Sequence, residues 1–171
     1  LHETLDGIRE VEHFTITPQG GGNLVIEAQK AEPVAVWRTT EGYKLITQTG
    51  RRIADVFDPG EEPDLPVVSG DGANRAAHEI PFLHRMSQPI AKSMSGFIRV
   101  GERRWDVMMD SGLLIMLPQD DPLGALEKVV QWEEEHSITS RSITRIDMRL
   151  PEAPLFRTLP EEEAFLFISR D

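Results

Sequence analysis

From Pro33 onward the chain is divided into apolar stretches of strand length, each closed by a turn signal, and this rhythm constrains the fold more than any other feature. Val34, Val36 and Trp37 precede Glu41-Gly42; Tyr43, Leu45 and Ile46 lead to Thr49-Gly50; residues 52–57 end at Asp58-Pro59-Gly60. Residues 65–68, 96–100, 104–109 and 113–117 read the same way, the last two joined by Asp110-Ser111-Gly112, as do 143–150 and 155–159 on either side of Pro151 and Pro154. Runs of roughly four to eight residues, rich in β-branched and aromatic side chains and bounded by Gly, Pro, Asn and Asp, are the mark of strands. The spacing therefore predicts a sheet-dominated domain with residues 155–159 as its last strand and an edge.

Two helices interrupt the rhythm. Gly70-Asp71-Gly72 leads into a predicted helix over 73–86, bent at Pro81 where a backbone donor is missing. Asp121-Pro122 sets a capping side chain before a proline at the first helical position and predicts a helix over 123–135. Its apolar stripe is Leu123, Leu126, Val129 and Val130, and Glu133, Glu134 and Glu135 close it on a solvated face. The class is α+β with a dominant sheet.

The first 33 residues form a different unit. Leu1, Leu5 and Ile8 predict a short helix, and residues 11–16 and 24–28 predict a hairpin around Gly20-Gly21-Gly22-Asn23. A helix and two strands bury too little apolar surface to stand alone, so the unit is expected to lack a strand and a helix on its N-terminal side. Nor does the chain begin with Met or carry a signal sequence, which reads as a fragment or a processed product.

Composition narrows the class of function. Leu, Ile, Val and Phe make up 46 of 171 residues, above the roughly 20% below which so charged a chain stays disordered. The longest apolar run, 112–118, is far short of the roughly 18 residues a membrane helix needs. A net charge of −11 repels phosphate backbones and anionic head groups, and Arg99, Arg103 and Arg104 are too few to make a nucleic-acid groove. With no cysteine, disulfide frameworks and thiolate zinc sites are excluded; the lack fits a bacterial envelope protein that avoids unwanted pairing in an oxidising compartment, and equally the many cytosolic proteins without cysteine.

Reactive groups do not converge in the sequence. His2, His13, His78, His84 and His136 contain no metal-ligand spacing, and His78 and His84 fall on different helix faces. Ser69 lacks the flanking glycines of a nucleophile elbow, and the two glycine loops lack a P-loop lysine and serine. Acidic pairs and triplets at 120–121, 133–135 and 161–163 read as solvated surface, and Trp37, Trp105 and Trp132 as core anchors. What remains is the edge at 155–159. Terminal strands are either blunted or used for adding a partner strand, and Pro154 and Pro160 on either side favour blunting on these residues alone.

Three stretches taken together resemble the periplasmic part of the FtsQ cell-division family, in its alphaproteobacterial form. They are Glu32-Pro-Val-Ala-Val-Trp37 with Tyr43-Lys-Leu-Ile-Thr-Gln-Thr-Gly50; Leu65-Pro-Val-Val-Ser-Gly-Asp-Gly-Ala73; and Val100-Gly-Glu-Arg-Arg-Trp-Asp-Val107 with Leu117-Pro118 and Ile146-Asp-Met-Arg149. The resemblance implies a single-pass inner-membrane protein of the division septum, its transmembrane helix outside this chain and this region in the periplasm. On that scheme residues 1–33 match the C-terminal helix and hairpin of a POTRA domain. Residues 34–160 match a mostly antiparallel β domain with two helices and a C-terminal edge strand, and 161–171 form a tail.

The resemblance further implies a non-enzymatic divisome scaffold without metal or cofactor. Its partners are FtsB and FtsL, with other division proteins reached through the POTRA domain. In the family FtsB adds a strand to the last strand of the β domain, and neighbouring arginines pair with FtsB acids. Carried over by motif, the partner-binding residues are Arg149, Leu150, Leu155, Phe156 and Arg157, with Arg103 or Arg104 as a second cationic contact. Other readings are a POTRA-type chaperone or transport module of the envelope and a periplasmic hydrolase. The tail, with Ala164-Phe-Leu-Phe-Ile168, is expected to dock on the body or against a neighbouring molecule.

Overall fold

A computed structural model describes residues 11–159. The expected helix at 1–8 and the tail at 161–171 lie outside the described residues.

The chain first forms a hairpin of β1 (Val11–Gln19) and β2 (Asn23–Lys30), an antiparallel two-stranded sheet of its own. Gly21 and Gly22 turn it at φ 82°, a backbone that L side chains rarely adopt. An ion pair and hydrogen bonds link it to the rest: Arg51 donates to Val11 O at 2.6 Å and to the Glu12 carboxylate at 2.7 Å, and Thr49 donates to Glu12 at 3.0 Å. Arg51 beside Glu12 holds that carboxyl below the usual carboxylate range.

The remaining strands make one nine-stranded sheet. These are β3 (Pro33–Thr39), β4 (Gly42–Thr47), β5 (Arg52–Val56), β6 (Val67–Ser69), β7 (Met94–Val100), β8 (Arg104–Met109), β9 (Leu114–Met116), β10 (Ile143–Asp147) and β11 (Leu155–Thr158). They lie in the order β11-β10-β9-β8-β7-β6-β3-β4-β5, so β11 and β5 are the edges. The pairs β3–β6, β6–β7 and β9–β10 are parallel and the others antiparallel. Each parallel pair is bridged by a longer connection, and two of these connections carry the helices, α1 (Ile80–Met86) and α2 (Pro122–His136).

Both helices cover one face of the sheet. Alternation sends Trp105, Val107 and Met109 of β8, with Ile115 of β9 and Ile146 of β10, into a core with Ile80, Leu83, Leu126 and Val129. Trp105 sits at its centre, fully buried, edge-on to Phe97 with ring centroids 6.4 Å apart. Its Nε1 donates to Glu79 at 2.8 Å, Arg99 pairs with the same carboxylate oxygen at 3.0 Å, and the Arg99 guanidinium lies 5.0 Å from the indole. A smaller cluster of Ala31, Val36, Leu45 and Ile53 packs on the opposite face at the β3–β5 end.

Three sequence expectations shift, each for a local reason. The helix expected over 73–86 is not one bent rod: residues 73–76 are turns, a 3₁₀ turn covers Ala77–Glu79, and α1 starts only at Ile80. Pro81 belongs to the first turn of α1, where its missing N–H costs nothing, so it starts the helix rather than bending it. The strand expected at 65–68 is β6, moved to Val67–Ser69, because Pro66 has no donor and serves only through its carbonyl, which accepts from Val36 N–H at 3.0 Å. The strand expected to reach 150 stops at Asp147, whose carboxylate accepts from the Arg149 N–H at 3.1 Å and turns the chain outward. Residues Pro122–His136 form a helix as expected, with Asp121 accepting from Gly124 N–H at 3.0 Å.

Candidate partner-binding edge

Among the described residues β11 is paired on one side only, with β10. Arg145 pairs with Arg157, Ile146 with Phe156 and Asp147 with Leu155, and the connecting turn closes with Ala153 N–H donating to Leu150 O at 2.9 Å. Leu159 N–H donates to Ser142 O at 3.0 Å, pointing toward β10. Because successive amides of a strand point to opposite sides, Leu155 and Arg157 also face β10, whereas Phe156 and Thr158 aim their N–H groups outward. Among the described residues no strand lies on that outer side.

Cross-strand register sorts the predicted residues by face. Asp106, Met116, Asp147 and Leu155 form one row across β8 to β11, on the face away from the helices, because their sequence neighbours Trp105, Ile115 and Ile146 belong to the helix-side core. Arg104 lies two residues from Asp106 on the same face and meets its carboxylate at 3.3 Å. Burial pushes the Asp106 carboxyl above the ordinary carboxylate range, and Arg104 and Arg149 oppose that push. Arg149 clasps Asp147 through Nε at 2.9 Å and 3.1 Å and through Nη2 at 2.6 Å, which holds the Asp147 carboxyl below its usual range.

Asp147, Arg149, Leu150, Ala153 and Leu155 line a cleft of about 310 Å³ beside the edge. Leu150 and Leu155 are largely exposed there, two apolar side chains next to a half-exposed guanidinium. The structure thus brings Arg149, Leu150 and Leu155 together, with Arg104 close along the same row. Phe156 lies on the other face, its ring 5.5 Å from Trp132 of α2, and remains about half exposed. Arg157 stands opposite Arg145 one row away. Arg103 is not part of this group; it lines a separate hollow on the helix side with Glu79, Phe82, Leu83 and Leu123. Of the two arginines left open by the sequence, Arg104 is the one near Arg149.

Asp147, Arg145 and Trp132 adjoin the candidate site and were not among the residues expected there. The alternation Ile143-Thr144-Arg145-Ile146-Asp147 could have placed Arg145 and Asp147 on one face, but the pairing of β10 with β11 and the seat of Phe156 on Trp132 are long-range facts. Among the described residues no group of three or more His, Asp or Glu side chains is placed to hold a metal ion. No helix there is long and apolar enough to cross a membrane.

Comparison with known proteins agrees with this architecture. The profile of the family described as "Cell division protein FtsQ/DivIB, C-terminal" matches residues 35–149, from β3 through the end of β10. The chain belongs to the FtsQ/DivIB family. Among its relatives, the cell division protein FtsQ of Cereibacter sphaeroides is 32% identical over 158 residues, covering 92% of this chain and 50% of that protein. FtsQ of Paracoccus denitrificans is 36% identical over 157 residues, 92% of this chain and 46% of that protein. FtsQ of Ketogulonicigenium vulgare is 36% identical over 130 residues, 76% of this chain and 43% of that protein. The chain spans about half the length of these curated relatives. Its mixed α+β fold, one large sheet with few helices, is consistent with the FtsQ family, and cell division is the process for which the family is named.

Proposed function

We propose that this chain is the periplasmic part of a non-enzymatic divisome scaffold that binds FtsB, and through it FtsL, by adding a partner strand to the outer edge of β11. On this reading residues 34–160 are the binding domain, residues 1–33 the end of a POTRA domain that reaches other division proteins, and 161–171 a tail. A transmembrane helix outside this chain anchors the protein in the inner membrane at the septum. The observation that carries the reading is the outward-facing Phe156 and Thr158 amides beside the cleft of Arg149, Leu150 and Leu155. Backbone hydrogen bonds supply affinity that is indifferent to side chains, and Arg149 and Arg104 supply selectivity by charge.

Thr158→Pro tests the reading. Thr158 is exposed at the end of an edge strand and its N–H faces away from β10, so proline removes an outward donor without breaking the ladder. Titration with the FtsB periplasmic segment should show binding at least about tenfold weaker. The melting temperature should stay within about 3 °C of the parent, since no buried contact changes. Equal affinity for the proline variant would exclude strand addition at β11.

A further inference from the structure

At the far end of the sheet from β11, Trp37 of β3, Lys44 of β4 and Asp55 of β5 stand in one row. The row lies on the helix-side face, because the neighbouring Val36 and Leu45 belong to the cluster on the other face. Trp37 and Lys44 border a cleft of about 710 Å³, which Arg38, Glu41, Arg52 and Asp71 also line. Lysine is almost never fully buried unless paired, and the Lys44 side chain is only 8% exposed. Its ammonium group has three donors, yet among the described residues one acceptor lies within hydrogen-bond reach, Glu41 Oε2 at 2.8 Å. Glu41 itself is 77% exposed, and the Asp55 carboxylate, at 3.9 Å, is too far to accept. Arg52 donates to Asp55 through Nη2, while its Nε is buried without a hydrogen-bond partner among the described residues. Buried donors without acceptors carry a free-energy cost, which the oxygens of a ligand would remove.

We propose that this cleft binds the terminal carboxylate of a peptide, whose oxygens accept from Lys44 Nζ and Arg52 Nε while the residue that bears it packs against Trp37. Lys44 and Arg52 both reach the Asp55 carboxylate, so their cationic groups lie together and can serve the two oxygens of one further carboxylate. The acids Glu41 and Asp71 line the same cleft and limit the negative charge it tolerates to a single group, which sets phosphate and polyanions aside. An aromatic wall beside a few convergent polar groups is the usual make-up of a site for a small ligand. The cleft is at the opposite end of the sheet from β11 and does not rest on strand addition there.

The test is titration of the whole chain with acetyl-Ala-Leu, with its C-terminal amide and with inorganic phosphate. Binding is followed through the indole N–H resonance of Trp37, one of three tryptophans, identified by its absence in Trp37→Phe. The acid should saturate with a dissociation constant of about 1 mM or tighter and move that resonance, and the amide should bind at least about tenfold more weakly. Lys44→Met should weaken the acid at least about tenfold and leave the amide unchanged. Arg52→Lys, which keeps the charge beside Asp55 and removes Nε, should weaken it about three- to tenfold. If Lys44→Met does not fold, Arg52→Lys and the comparison of acid with amide in the parent chain decide. The proposal is overturned if acid and amide bind alike, if phosphate binds as tightly as the acid, or if neither substitution weakens the acid. It is also overturned if Trp37 does not respond, the result expected if Glu41 and Asp55 do no more than neutralise Lys44.

Discussion

Replacing Arg149 by glutamate is expected to weaken binding of the FtsB periplasmic segment at least about tenfold, equivalent to 1.4 kcal/mol, while the melting temperature hardly moves. Arg149 is half exposed and, among the described residues, its ionic partner is Asp147. An exposed pair of this kind is screened by solvent and contributes little to folding, so its loss leaves the fold in place. Its local field is another matter. Glutamate at 149 would stand beside Asp147, with Asp106 on the same row, and would turn the rim of the cleft from balanced to strongly negative. An acidic partner segment would then approach like charge where it now meets a guanidinium, a penalty felt in binding rather than in folding. Titration paired with a thermal melt checks the result, and unchanged affinity with an intact fold would remove Arg149 from the interface.

Trp105→Ala is expected to cost about 4 kcal/mol or more of stability, a large fraction of the roughly 5–15 kcal/mol available to a domain of this size. The side chain is fully buried between Phe97 and the helices. Truncation opens a cavity of indole size and also removes the donor to Glu79 and the aromatic surface under Arg99. Trp105→Phe separates the contributions, since it retains much of the volume and loses the Nε1 hydrogen bond, at a cost of about 1–2 kcal/mol. Circular dichroism through chemical denaturation gives both numbers. An alanine variant that melts within a few degrees of the parent would show that the core around Glu79, Arg99 and Trp105 is not the centre of stability described here.

How legible the fold was depended on range. β8 was readable to the residue because Arg104-Trp-Asp-Val-Met-Met109 alternates between turn signals, and the helix from Pro122 because Asp121-Pro122 is a local start signal. Boundaries failed where proline has two uses: Pro81 opens a helix instead of bending one, and Pro66 displaces β6 by lacking a donor. The site was legible in part. Arg149, Leu150 and Leu155 sit close in sequence and meet in one cleft, whereas Arg103 and Arg104, adjacent in sequence, part to opposite sides of the sheet. Arg145 escaped notice because it adjoins the edge only by standing opposite Arg157, a pairing set by how β10 and β11 align rather than by any local motif.

Amide hydrogen exchange of the whole chain, with and without the FtsB periplasmic segment, tests the central claim most directly. Strand addition predicts that the Phe156 and Thr158 amides, which point outward, gain protection on binding, while Leu155 and Arg157, already directed at β10, change little. Protection confined to β5, the opposite edge, or to the hollow lined by Arg103 and Phe82, with Phe156 and Thr158 exchanging as in the free chain, would contradict it.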